Sequence, residues 1–247
     1  MIADVHCHLN FDRFKKDRDE VVRRALIAGV VEIIDSGFDH VSNEASLKIS
    51  ERYENVRSTL GLSPNRIGKS DYRFVISQIE ENVHRIVGIG EVGLDLKKCP
   101  IPLRKQKEIF SKFITLSEEL ELPLIIHARK AEDKAFDMVK GRDITVVFHC
   151  YTGSPNLAEK IVDEGFYISI STLVCISDNV KKVAERIEIE NILLETDSPF
   201  LSPFKGRNEP ANVIYALKEV AALKESDQEE LTRVIMKNVE RVFNTYA

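Results

Sequence analysis

The chain has 247 residues, a formal net charge of −5, and four cysteines (Cys7, Cys99, Cys150 and Cys175) without a CxxC pair. That length suits two ordinary domains or one large α/β barrel, and the mild acidity lacks the basic excess of many nucleic-acid binders, although bound cations and a few arginines can set a local field against it. The scattered cysteines argue against a disulfide framework; with no leader-like start and no apolar run near the roughly 20 residues that span a bilayer, the expectation is a cytoplasmic protein with no membrane association and no obligate protein partner.

Short apolar, β-branched runs recur along the chain at 2–5, 30–35, 56–61, 86–91, 124–127, 145–149, 166–170 and 191–195, eight candidate strands in all. Between them lie stretches such as 104–120 and 156–164, whose apolar residues recur every three or four positions as in amphipathic helices. Strand–helix alternation predicts parallel strands with right-handed crossovers. Eight such units predict a (β/α)8 TIM barrel, with its site at the C-terminal strand ends. An open doubly wound sheet is the rival, but its glycine-rich phosphate turn is missing. No Pro-, Gly- or Ser-rich linker interrupts the pattern, so residues 1–247 are read as one domain, with two further helices in the tail 212–247.

The polar residues cluster where these strands end. The first strand leads into DVHCHLN, in which Asp4, His6 and His8 alternate and so share one side of an extended chain, with Cys7 on the other. The fourth ends in GIGEVGLD with Glu91, the fifth in IIHAR with His127, the sixth in VFHCYTG with His149, and the eighth in LLETDSP with Asp197. Four histidines and two acids from five strands suit Zn²⁺, Mn²⁺ or a related divalent ion. They are too many for one centre and match two metals bridged by a carboxylate and a water.

Each residue also has an ordinary structural reading. His-x-His is a common coincidence, a strand-end histidine is often hydrogen-bonded scaffold, Glu91 could cap the following turn, and Asp197 could N-cap the segment after Ser198-Pro199. His40 and His84 fall in predicted helical or loop stretches and keep that reading. Cys150, adjacent to His149, is expected to face the opposite side as a small packed residue.

The same segments carry a family likeness. Asp-x-His-x-His, GEVGLD, IIHAR, FHCYTG and ETDSPFLSP together resemble the TatD-type metal-dependent hydrolases, from residue 1 to about residue 212. The resemblance implies an amidohydrolase-like barrel with two divalent metal ions (Zn, Mn or Mg). It implies His6, His8 and Asp197 on one metal, His127 and His149 on the other, and Glu91 as the bridge. Asp4 becomes a supporting residue behind a ligating imidazole. Arg129 and Arg207 become phosphate contacts, and Asn208 and Glu209 line the mouth as substrate or supporting contacts. Asp197 would orient the attacking water and accept its proton, making it catalytic together with Glu91.

Two departures fall on the substrate side. Where the family usually has Gly-x-His-Pro-His, this chain reads GLSPN, with Ser63 and Asn65 in the substrate-contacting positions, and the PFKG segment before RNEP looks about one residue short. The implied activity is a deoxyribonuclease that hydrolyses phosphodiester bonds of DNA or another nucleic acid in an exonuclease-like manner. The alternatives are the same chemistry on a D-aminoacyl-tRNA ester or small phosphoester, and a non-catalytic barrel scaffold.

Overall fold

Strands covered by helices on one side and by barrel interior on the other are apolar on both faces, which is why these runs read as continuous rather than alternating. In the computed structural model, which describes residues 1–244, the strands are β1 (Ile2–Cys7), β2 (Val30–Ser36), β3 (Val56–Leu60), β4 (Gly88–Asp95), β5 (Leu124–Arg129), β6 (Val146–Phe148), β7 (Tyr167–Ser171) and β8 (Ile192–Glu195). They form one sheet in sequence order, each parallel to the next. One helix fills each crossover: α1 (Arg18–Ile27), α2 (His40–Arg52), α3 (Tyr72–Glu81), α4 (Leu103–Leu120), α5 (Glu132–Val139), α6 (Pro155–Asp163) and α7 (Asp178–Arg186). The fold is the expected (β/α)8 barrel. No helix among the described residues is long and apolar enough to cross a membrane.

The helices form for local reasons. In α4, Gln106, Ile109, Phe110, Phe113, Ile114 and Ser117 are buried at three- and four-residue spacing, a single stripe laid on the sheet. Asp39 caps α2 by accepting from the Ser42 backbone N–H, and the Ser42 side chain answers the Asp39 N–H. The predicted tail helices are α8 (Val213–Leu223) and α9 (Gln228–Phe243), and α9 packs against β1 and β8. The last three residues of that tail lie outside the described residues.

The sheet closes on itself at the β1–β8 seam. The Asp197 N–H donates to the His6 carbonyl at 2.9 Å, and the His8 N–H donates to the Ser198 carbonyl at 2.7 Å. Beneath them the Asp4 carboxylate accepts from the Thr196 N–H (2.8 Å) and its hydroxyl (2.6 Å). Asp4 is wholly buried, and burial holds its carboxyl well above the usual range.

Several strands run past their expected ends. β4 continues from Glu91 to Asp95, passing close to β5 at Gly93, whose φ is +139°. A Cβ at Gly93 would lie 2.2 Å from the His127 carbonyl oxygen, so only glycine permits this approach. We expect Gly93→Ala to destabilise the barrel by about 3 kcal/mol or more, read as a lowered urea midpoint. A change below about 0.5 kcal/mol would show that this approach is not constraining.

Candidate metal centre

The seam delivers three of the expected residues to one point. His6 Nε2 and His8 Nε2 each lie 3.5 Å from Glu91 Oε2, and they lie 4.0 and 3.4 Å from Asp197 Oδ1. Ligands about 2.1 Å from a tetrahedral cation stand about 3.4 Å apart, so these spacings fit a divalent ion. Asp197 is in place because its backbone is left-handed (φ 53°), a conformation Asp tolerates, and because its N–H is fixed to His6; it does not N-cap a helix.

A second group meets the first at Glu91. His127 Nδ1 lies 3.2 Å from His149 Nε2 and 3.8 Å from Glu91 Oε1. His149 Nε2 is 3.8 Å from Glu91 Oε2, and its ring stacks on His6 with centroids 3.9 Å apart. Glu91 thus stands between two sets of imidazoles, its Oε2 facing both and its Oε1 turned to His127. Two ring nitrogens, each a lone pair or an N–H, facing each other at this distance suit a shared cation. Among the described residues, the buried His6 Nε2 and His149 Nδ1 have no hydrogen-bond partner, an arrangement that costs free energy unless something else satisfies them. His6, His8 and Asp197 form one candidate metal-holding group, and Glu91, His127 and His149 form another.

The charges are arranged to match. Burial opposes ionisation of Glu91, but the adjacent His6 imidazole and the charges of His127, His149 and His8 outweigh it and hold the carboxyl well below its usual range. Asp197 behaves the same way, with His8 the main counterweight to burial. His8 is raised to about 9, its burial overcome by Asp197 and Glu91, whereas burial lowers His149 to about 4.

Sequence reasoning missed the groups that hold these rings. Asp4 does not orient an imidazole; its only bond to His6 is from the backbone N–H at 3.4 Å. The imidazole contacts come from Ser36, whose hydroxyl hydrogen-bonds His6 Nδ1 (3.1 Å) and whose carbonyl accepts from His8 Nδ1 (2.8 Å). Asp95 accepts from His127 Nε2 at 3.2 Å, which leaves Nδ1 aimed at the cluster. Asp95 is fixed in turn by the Asn65 amide (2.9 Å) and the Lys97 and Lys98 N–H groups (both 2.7 Å). Glu195 lies 3.5 Å from His149 Nδ1 and is raised to about 8 by burial. Period-two alternation carried on from Glu91 through Gly93 reaches Asp95, and carried back from Asp197 it reaches Glu195, so both were readable.

Other expected residues lie elsewhere. Arg207 forms a two-pronged ion pair with Asp17 (2.9 and 2.6 Å) and covers the Phe14 ring. Glu209 pairs with Arg24 (2.8 and 2.6 Å), and Asn208 is buried with its amide on Thr172 and the Thr196 carbonyl. These residues pin the segment after β8 to α1 and β8. Arg129 ends β5, and its guanidinium makes no hydrogen bond or ion pair among the described residues. Ser63 is buried before a short 3₁₀ turn, its N–H on the Phe38 carbonyl. Cys150 does not turn away: its left-handed backbone (φ 46°) brings the thiol to 3.5 Å from Ser171 Oγ. Cys7 is buried in the core, and His40 bonds Ser70, outside the cluster.

A family model described as TatD related DNase matches residues 3–244. An uncharacterized metal-dependent hydrolase of Methanocaldococcus jannaschii is 42% identical, over 98% of this chain and 96% of its own. A 3'-5' ssDNA/RNA exonuclease TatD of Salmonella typhimurium is 29% identical, over 97% of this chain and 98% of its own. The crystal structure of YjjV, a TatD homologue from Escherichia coli, superposes with a TM-score of 0.93 at 27% identity, covering 99% of this chain and 98% of that one.

Asp95→Ala should free the His127 ring and weaken divalent-ion binding by about 10–100-fold in a chelator competition; unchanged affinity would assign Asp95 to the scaffold alone. An ion seating on His8 Nε2 must displace a proton held up to about 9. Apparent affinity at that group should therefore rise about tenfold per pH unit from neutrality and level off above this value.

Proposed function

The chain belongs to the TatD-related DNase family, and on that premise we propose that it is a metal-dependent phosphodiesterase acting on single-stranded DNA or a related nucleic acid in an exonuclease-like manner. The observation that carries the reading is Glu91, placed between two imidazole groups with its oxygens directed to both. We assign His6, His8 and Asp197 to one divalent ion, His127 and His149 to a second, and Glu91 to both. Zn, Mn and Mg are each compatible with such a donor set. The ions, when bound, supply Lewis acidity toward the phosphoryl group and an activated water.

The protein's own groups do the remainder. Asp197 is ionised at neutral pH and still 16% exposed on its side chain, so it can reach and orient a water and accept its proton. His8 beside it, hydrogen-bonded to the Ser36 carbonyl, holds that carboxylate in position. Arg129 leaves β5 on the same face as His127, two residues earlier, and its unengaged fork suits a phosphate. We leave Arg207 out of the substrate contacts because both of its prongs are committed to Asp17. Asn65 supports His127 through Asp95, which assigns this position of GLSPN to the metal side of the site.

Wild-type protein with Mn²⁺, Mg²⁺ or Zn²⁺ should shorten end-labelled single-stranded oligonucleotides, and EDTA should stop it. Glu91→Ala should abolish turnover. Asp197→Asn should keep the thermal midpoint close to wild type while kcat falls about 10²–10⁴-fold. Turnover of D-aminoacyl-tRNA without any oligonucleotide cleavage would overturn the nuclease assignment.

A further inference from the structure

One side of the mouth is built from aromatic rings. Phe11, Phe38 and Phe200 come from the segments after β1, β2 and β8, and all three surround the His8 imidazole, with centroids 5.6, 5.5 and 6.4 Å from it. They also pack on one another: Phe11 lies 5.1 Å from Phe38 and 5.4 Å from Phe200, the latter edge to face. Packing alone would bury such rings, yet Phe200 remains 39% exposed. An arginine flanks each end of the row. Arg13 lies over Phe200 at 5.8 Å and Arg66 over Phe38 at 4.9 Å; the Arg66 Nε is 3.4 Å from Asp39, which leaves its outer nitrogens free to face solvent.

We propose that this wall is a stacking subsite for the nucleobase adjoining the scissile phosphodiester, with Arg13 and Arg66 receiving the phosphates on either side. The proposal rests on the nucleic-acid reading above and specifies it. Every base presents a π-face, so a phenylalanine platform beside the cluster binds bases without choosing among them. A base inside a duplex has both faces covered and cannot occupy the wall, which makes a single strand the fitting ligand. The rings touch His8, so a base seated on them places its own phosphate near the two acids that face that imidazole. The arginines complete the charge complementarity in a chain that is acidic overall.

The test compares two fluorescein-labelled single-stranded oligonucleotides of equal length, one ordinary and one with abasic nucleotides at its two terminal positions, placed at either end in separate probes. Anisotropy with the full-length protein in EDTA should show the ordinary strand binding about tenfold more tightly for one of the ends. Phe200→Leu, which keeps apolar bulk but removes the ring, should erase that preference, and Phe200→Trp should retain it. With metal added, the same ratio should appear in kcat/KM. Equal binding of ordinary and abasic strands overturns the stacking subsite while leaving a nuclease that cuts both strands intact. A ring-dependent preference in binding without cleavage under any metal supports the subsite and counts against the nuclease reading. Absence of binding to either strand overturns the subsite.

Discussion

Two backbone hydrogen bonds at the β1–β8 seam carry the architecture of the site. Asp197 N–H to the His6 carbonyl and His8 N–H to the Ser198 carbonyl lock three potential ligands into one geometry through main-chain atoms. Main-chain placement is more exacting than side-chain contact because it fixes where each Cβ starts. Asp4 secures the same seam from below through Thr196. Its carboxyl is buried without a cation, so its cost of burial is offset by those two donors rather than by charge pairing.

Around that seam the barrel concentrates acids among imidazoles in a poorly hydrated interior. An isolated carboxylate there would take up a proton, but Glu91 and Asp197 stay ionised because several imidazoles face them. The imidazoles divide in turn: His8 and His127 are pushed towards the protonated form, and His6 and His149 away from it. A divalent cation replaces what those protons supply, which is why this donor set reads as a metal site and not as an ordinary buried ion-pair network. Asp95, which accepts from His127 Nε2, keeps that ring turned towards the cluster.

The barrel and the six central residues were legible because both rest on periodicity. Period-two alternation singled out His6 with His8, and strand–helix rhythm placed Glu91, His127, His149 and Asp197 at one end of the sheet. The same logic stopped short at β4, where ending the strand at Glu91 hid Asp95, although the paired strand reaches it. The family likeness gives Asp4 an imidazole to support, but at the seam its donors belong to Thr196, just after β8, and no local spacing reports a contact 192 residues away. Cys150 escaped for the opposite reason: a left-handed residue breaks the alternation on which its orientation was based. The family likeness puts Arg207 and Glu209 at the mouth, and only the fold reveals their partners, Asp17 just before α1 and Arg24 within it. The aromatic wall left no linear trace, since Phe11, Phe38 and Phe200 are spread over three loops.

The seam also gives the site a place in the life of the chain. His6 and His8 lie far from Asp197 along the chain, so the group they form has a long loop to close. Contacts of such high sequence separation are slow to form, because loop-closure entropy is lost before they are made. A half-folded barrel holds these imidazoles and acids in separate places and has no assembled cluster. Assembly of the candidate metal-holding groups is thereby tied to completion of the ring.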